Sequence, residues 1–405
     1  MAIIWTQKQD VGPSARWRHG MAFDAVRQRV LSFGGEAADG LLGDTWLWDG
    51  QYWTQVADFG PSPRAGVAMA SDLTRQRIVL FGGRTAAGLA ADTWEWDGAS
   101  WTQVADLGPD PRAGHALAYD ERRRRTLLFG GESGSQPDLS DTWGWDGNEW
   151  TQLGDTGPSG RRGHGLAYDS TRQLVVLHGG LTAAGGDSGT WAWNGSAWTQ
   201  AADIGPGPVY GGAIAFNGVG VELFSGVTGG VPGPRVPAAT WEWDGRLWTE
   251  SQDMGPAGRQ GAALAADPVR GAMVLFGGNA NLDDAPAALL GDTWEHPATI
   301  LGGDRPADSA VLESFEILPR TVAFNGIDTA QIVVTLAAPS GSGGLSVSVS
   351  QIGPSPFPGG PLPSIAILPG QRQGALQIGP FTGPGEFGLS ASVGGVTLQA
   401  FITMA

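Results

Sequence analysis

Residues 44–55 read DTWLWDGQYWTQ, and this stretch decides the fold. Trp46 and Trp48 are separated by one residue, so in an extended chain both rings project to the same face. Asp49-Gly50 is a two-residue hairpin signal, because the glycine accepts the positive φ that such turns demand. Trp53-Thr54-Gln55 then opens a returning strand. The segment is a β-hairpin carrying three tryptophans. Trp-Thr-Gln or a close variant begins again at Trp5, Trp101, Trp150, Trp198 and Trp248, with a spacing of 48–50 residues throughout. Such a fixed period marks a repeat architecture.

Each repeat reads alike: a Gly-Pro linker, an arginine, a strand of small residues, a basic turn, an aliphatic strand ending in Gly-Gly, a variable loop, and the tryptophan hairpin. That is four strands per unit and six units. The Gly-Gly pair falls at Gly34/Gly35, Gly82/Gly83, Gly130/Gly131, Gly179/Gly180 and Gly277/Gly278, and the fifth copy has Ser225-Gly226. First strands carry small side chains (Ala68 and Ala70, Ala116 and Ala118, Ala263 and Ala265), which suit a crowded axis. Outer strands carry the paired tryptophans, which fill gaps that widen away from it.

One copy is interrupted. In GDTWEHPATI, residues 291–300, the pattern stops at Trp294, and His296 stands where other copies have their second tryptophan. Residues 2–8, AIIWTQK, carry the fourth-strand signature without a preceding blade. The N-terminal strand is expected to complete the last sheet, which joins the ends of the domain and removes two exposed sheet edges.

On these motifs, residues 1 to about 298 resemble the Kelch family of β-propellers, whose repeats of about fifty residues carry Gly-Gly after the second strand and aromatics in the later ones. The expected class is all-β: a six-bladed propeller over residues 1–300 closed by an N-terminal strand, followed by a β-sandwich over 310–405. In the latter stretch the tryptophans vanish and alternating strands are separated by Pro/Gly turns, a pattern similar to bacterial immunoglobulin-like modules. LGGDRPADSA, residues 301–310, reads as the linker and GPSPFPGGPLP, residues 353–363, as a long loop.

Composition excludes several functions. Gly 66 and Pro 27 punctuate the chain too densely for long helices. A net charge of −16 repels phosphate backbones and anionic lipid, so neither nucleic acid nor a membrane is expected as partner. No segment reaches the ~18 apolar residues of a membrane span. Cys 0 removes disulfides, thiolate metal sites and a thiol nucleophile. It also removes the crosslinked cofactor of the copper-radical oxidases, the best known Kelch enzymes, and no other cofactor or metal is expected. The N-terminus has no basic region and too brief an apolar stretch for a signal peptide. An extracellular or cell-surface location is expected, with a leader absent from this sequence, and the cytoplasm is left open.

In a four-stranded antiparallel blade, the lead-in to the first strand and the loop between the second and third lie on one face. Arg16, Arg64, Arg112, Arg161 and Arg259 occupy one column there, with Val209 breaking the series. The Kelch resemblance implies arginines presented to ligand at this mouth, where guanidinium forks match carboxylates or sulfates. The alternative is that they pair with acidic neighbours and backbone carbonyls to hold the ring. Beside them runs the varied column Trp17, Ala65, Ala113, Arg162, Tyr210 and Gln260. Trp17 is the one tryptophan of 18 outside the repeat pattern. Trp17 or Tyr210 is expected either to stack a sugar or peptide side chain or, for Trp17, to plug the mouth. Glu36 and Glu132, directly after Gly-Gly, complete the candidate ligand-binding set. His19, His115 and His164 share a column expected to be structural, and His178 is expected to be a satisfied core residue.

No nucleophile elbow, phosphate loop or zinc signature is present. The leading expectation is a non-enzymatic module, secreted or surface-displayed, that binds a protein or glycan at the arginine-lined mouth. A second is an enzyme on an anionic sugar, similar to six-bladed Kelch sialate epimerases, with Arg64, Arg112 and Arg161 anchoring the carboxylate and Glu36 or Glu132 as acid/base. A third is a subunit of an extracellular appendage, self-assembling through the C-terminal domain.

Overall fold

The computed structural model describes residues 4–8, 11–134, 138–229, 233–251, 255–282 and 288–298, and strands between Leu312 and Met404. The chain divides into two compact units, Met1–Ala298 and Thr299–Ala405. Among the described residues, the strands of the first unit pair antiparallel.

The first sheet shows why these residues form a blade. Gly20–Asp24, Arg29–Phe33, Thr45–Trp48 and Trp53–Ala57 pair in chain order. Asp24 Oδ1 accepts from the amides of Val26 and Arg27 at 2.9 and 3.0 Å, which fixes the turn between the first two strands. Asp49 Oδ1 does the same for Gln51 and Tyr52 at 2.8 and 2.7 Å, with Gly50 at φ 97 as the hairpin requires. Four further sheets of the same order cover 68–105, 116–154, 165–202 and 213–251. A sixth contains Ala263–Asp267, Ala272–Phe276 and Thr293–Pro297, and its outer strand is Thr6–Gln7. Thr6 lies opposite Glu295 and Gln7 opposite Trp294, and the Lys8 amide donates to the Thr293 carbonyl at 2.8 Å.

First strands sit side by side in chain order, and the last, Ala263–Asp267, lies against the first, Gly20–Asp24. This is the arrangement of a β-propeller. Adjacent sheets are held face to face by apolar clusters: Leu31 and Phe33 of the first pack with Met69, Leu80, Trp96 and Trp101 of the second. A buried tryptophan removes about 200 Å² from water, roughly 5 kcal/mol before entropy is counted.

The polar end of each outer tryptophan is also used. Trp101 Nε1 donates to Thr45 Oγ1 of the preceding sheet at 2.9 Å, and Trp150, Trp198, Trp248 and Trp53 repeat this to Thr93, Thr142, Thr190 and Thr293. Trp5 supplies the sixth, to Thr240 at 3.2 Å. Each sheet therefore both gives and receives one such bond.

The second unit contains a three-stranded sheet, in the order Leu312–Leu318, Ala330–Leu336, Gln373–Ile378, and a five-stranded sheet that includes Leu345–Ile352, Gly385–Val393 and Val396–Met404. The expected linker 301–310 and loop 353–363 lie outside the described residues.

Candidate functional site: the loop-bearing rim

The five arginines expected at the mouth are among the most buried side chains of the chain, each at 0 or 1 % exposure. Arg112 shows the common geometry. Its Nε donates to the Asp110 carbonyl at 3.0 Å, Nη1 to the Gly130 carbonyl at 2.9 Å, and the Nη1/Nη2 fork grips Asp141 at 2.7 and 2.8 Å. Arg16, Arg64 and Arg259 grip Asp44, Asp92 and Asp292 in the same bidentate way, and Arg161 reaches Asp187 at 2.9 Å. The fork therefore lies between the second-strand glycine and the aspartate that opens the third strand. Burial pushes the Asp44, Asp92, Asp141 and Asp292 carboxyls up, but the hydrogen bonds and charge of their arginines, with a donated tryptophan N–H, outweigh it and hold each below the usual carboxylate range.

These contacts correct the ligand-facing assignment of Arg16, Arg64, Arg112, Arg161 and Arg259. Two carbonyls and a bidentate carboxylate take four of the five N–H donors of such a guanidinium, Arg16 and Arg64 give the fifth to Ser14 and Ser62 Oγ, and burial closes the rest off from a ligand. The substrate clamp of Arg64, Arg112 and Arg161 fails on the same geometry, and the ring-holding alternative describes them.

Trp17 is 2 % exposed and does not present its face to solvent. The Arg18 guanidinium lies over that face, 3.8 Å from the ring centroid. Of the two readings of Trp17, burial at the mouth fits and stacking of a ligand does not. Arg162, Tyr210, Glu36 and Glu132 are half-buried. The varied column pairs across each rim with the residue that follows Gly-Gly, so Trp17 bridges Glu36, Ala113 lies opposite Glu132 and Tyr210 opposite Val227. Ion pairs then cross between blades: Arg84 to Glu132 at 2.5 Å, Arg162 to the same carboxylate at 3.5 Å, and Arg162 to Asp138 at 2.7 Å. Arg162 and Glu132 thus meet in one network, while Glu36 and Tyr210 sit on other blades.

One residue past this column lies a feature absent from the sequence expectations. Arg18, Gly66, Gly114, Gly163, Gly211 and Gly261 all adopt left-handed backbone, with φ between 54 and 66. The amide of Gly66 donates to the Arg18 carbonyl at 2.8 Å, Gly114 to Gly66 at 3.0 Å, Gly163 to Gly114 at 2.8 Å and Gly211 to Gly163 at 2.7 Å. Gly261 continues to Gly211 at 2.8 Å, and Arg18 returns the cycle to Gly261 at 2.7 Å. Six peptides form a closed collar around the axis. Neighbours spaced like paired strands make it about 10 Å across between backbones, narrower once atomic radii are subtracted. The recurring Arg-x-Gly of the repeats was the available signal, since only glycine adopts this conformation without cost. Arg18 is the exception, at roughly 1–2 kcal/mol.

His19, His115 and His164 pack edge-on against Phe276, Phe81 and Phe129. Burial, aided by the neighbouring arginine, lowers each to about 3, so they are neutral at physiological pH. His178 Nδ1 lies 2.9 Å from Thr190 Oγ1, but its Nε2 has no partner, which makes this core histidine half satisfied rather than satisfied. Among the described residues no group of His, Asp or Glu is arranged to hold a metal ion.

A model of the KLHDC2/KLHL20/DRC7 Kelch-repeats domain matches residues 4–180. Residues 4–180 resemble Kelch repeats. No curated protein matches the chain. Among solved structures, the chain resembles "Structure of YjhT", at a TM-score of 0.54 and 15% identity over 70% of this chain and 95% of that one. At that identity the likeness concerns the fold alone.

Proposed function

We propose that residues 1–298 form a six-bladed Kelch propeller closed by the N-terminal strand, and that it acts as a non-enzymatic binding module. Its ligand is a protein surface lying across the loop-bearing rim, with Arg162, Tyr210, Glu36 and Glu132 as contact residues. The observation that carries this reading is the closed peptide collar: a ligand meets a floor on this face, and a shallow floor edged by mixed charges suits a protein surface better than an enclosed substrate. The buried arginines support it further, because the carboxylate clamp of the anionic-sugar reading has no free guanidinium. We take the module to be secreted or surface-displayed, with residues 310–405 as an immunoglobulin-like sandwich through which chains self-assemble.

The test immobilises the wild-type chain and the Arg162→Glu/Tyr210→Ala variant and compares captured proteins from the source cell envelope and medium, beside a glycan array. The expected result is a discrete protein retained by wild type and lost by the variant. Retention by both, or glycan binding alone, contradicts the rim assignment. Acceleration of sialic or uronic acid mutarotation, followed by NMR, would restore the enzymatic reading.

A further inference from the structure

The fifth blade departs from its neighbours at two positions at once, whereas the fourth, with Gly189 before Thr190, keeps the ion pair through Asp187. Val209 stands in the arginine column, and Ala239 stands where Asp44, Asp92, Asp141 and Asp292 directly precede their threonines. Both halves of the buried ion pair are missing together. At that place the structure has a cavity of about 180 Å³, lined among others by Gly207, Val209, Ser225, Ala239 and Trp241.

The groups that surround the ion pair elsewhere are retained. In the other blades the arginine Nε donates to the carbonyl two residues before it, as to Ser62 at 2.9 Å; the equivalent carbonyl here is that of Gly207. Nη1 donates to the first glycine of Gly-Gly, as to Gly82 at 3.0 Å; the equivalent here is Ser225, which keeps the left-handed backbone at φ 56. The first tryptophan of the hairpin donates to the aspartate, as Trp94 does to Asp92 at 2.7 Å; the equivalent is Trp241. Among the described residues no group bonds to these carbonyls or to Trp241 Nε1. Arg235 and Glu250 also line the cavity, and neither is ion-paired among the described residues.

We propose that this cavity binds a small zwitterion, in which a guanidinium or ammonium group donates to the Gly207 and Ser225 carbonyls and a carboxylate accepts from Trp241 Nε1 and Arg235. The ligand supplies, from outside, the pair of opposite charges that the other blades carry in their own sequence. Both charges are required of it, because the site has lost an acceptor for the indole and a donor for the carbonyls in the same step. The site lies in the fifth blade's part of the rim, beside Tyr210, and its lining includes none of the contact residues Arg162, Tyr210, Glu36 and Glu132.

The Trp241 indole N–H resonance, assigned by its disappearance in Trp241→Phe, reports binding directly. Guanidinoacetate is titrated against the isotope-labelled full chain, with betaine, a zwitterion lacking N–H donors, as control. The expected result is a saturable downfield shift of the Trp241 signal with guanidinoacetate and none with betaine. Ala239→Leu, which fills the cavity without charge, is expected to abolish the shift. Val209→Arg/Ala239→Asp, which installs the pair of the other blades, is expected to place the signal at the shifted position without ligand and to make it insensitive to ligand. No saturable shift, an equal response to betaine, or an undiminished response in Ala239→Leu overturns the proposal, and the last variant decides it should the charged double variant fail to fold.

Discussion

At the residue scale, the buried histidines give the chain a definite response to acid. His115 has an ordinary value of 6.5 and is lowered to about 3 in the folded chain. Between those values the unfolded chain holds a proton that the folded chain does not, so stability is full above about 6.5 and falls as the pH drops toward 3. His19 and His164 act in the same window. The second blade has Val67 at this position, so His115→Val is an exchange the fold already accommodates. Its expected effect is a shallower slope of unfolding free energy against pH between about 6 and 4, with little change at neutrality; denaturant titrations at a series of pH values measure it, and an unchanged slope contradicts the assignment. That these histidines are structural was legible from their shared column. Their edge-on packing was not, because a column gives no distance to a phenylalanine ring on the preceding blade.

At the scale of the element, a blade is held at its rim by one arginine fork, and its value depends on the partner. Arg112→Val leaves the Asp141 carboxylate without its cation and is expected to cost about 3 kcal/mol. Arg112→Val/Asp141→Ala removes both charges, as the fifth blade does naturally, and is expected to cost less than the single change. Chemical denaturation of both variants reads this, and a double variant weaker than the single one contradicts the pairing. The arginine column was plain in the sequence, yet its function as a ligand surface was misassigned. The deciding signal lay in the same repeat: the blade that lacks the arginine has no aspartate ahead of its Thr-Trp, while the fourth, with Gly189 before Thr190, supplies Asp187 three residues earlier. Reading Val209 and Ala239 together identifies the pair, whereas reading either column alone leaves the guanidinium looking free. The Gly-Gly pairs and hairpins were legible because their constraints are local, a positive φ at Gly50 or an Asp49 side chain capping its own turn.

At the scale of the whole molecule, two independent cycles run through the six sheets: the indole-to-threonine bonds of the outer strands and the peptide collar of the inner ones. The period of the tryptophans made the repeat legible from end to end, while the collar depended on contacts between residues some fifty apart, which no local pattern encodes. The alternation in residues 310–405 indicated strands, and strands are present there. Both cycles pass through the sixth sheet, whose outer strand comes from the opposite end of the sequence. Trp5 is 4 % exposed and packs on Phe224 and His296, so loss of this strand removes a core tryptophan as well as an edge. The most direct measurement is the thermal midpoint of a chain lacking residues 1–8, alone and with an excess of a peptide of sequence AIIWTQKQ. Deletion is expected to lower the midpoint by roughly 5–10 °C, the peptide to restore most of it, and a peptide with alanine in place of tryptophan to restore none. A midpoint unchanged by the deletion would contradict closure through the N-terminal strand, and with it the geometry of the rim.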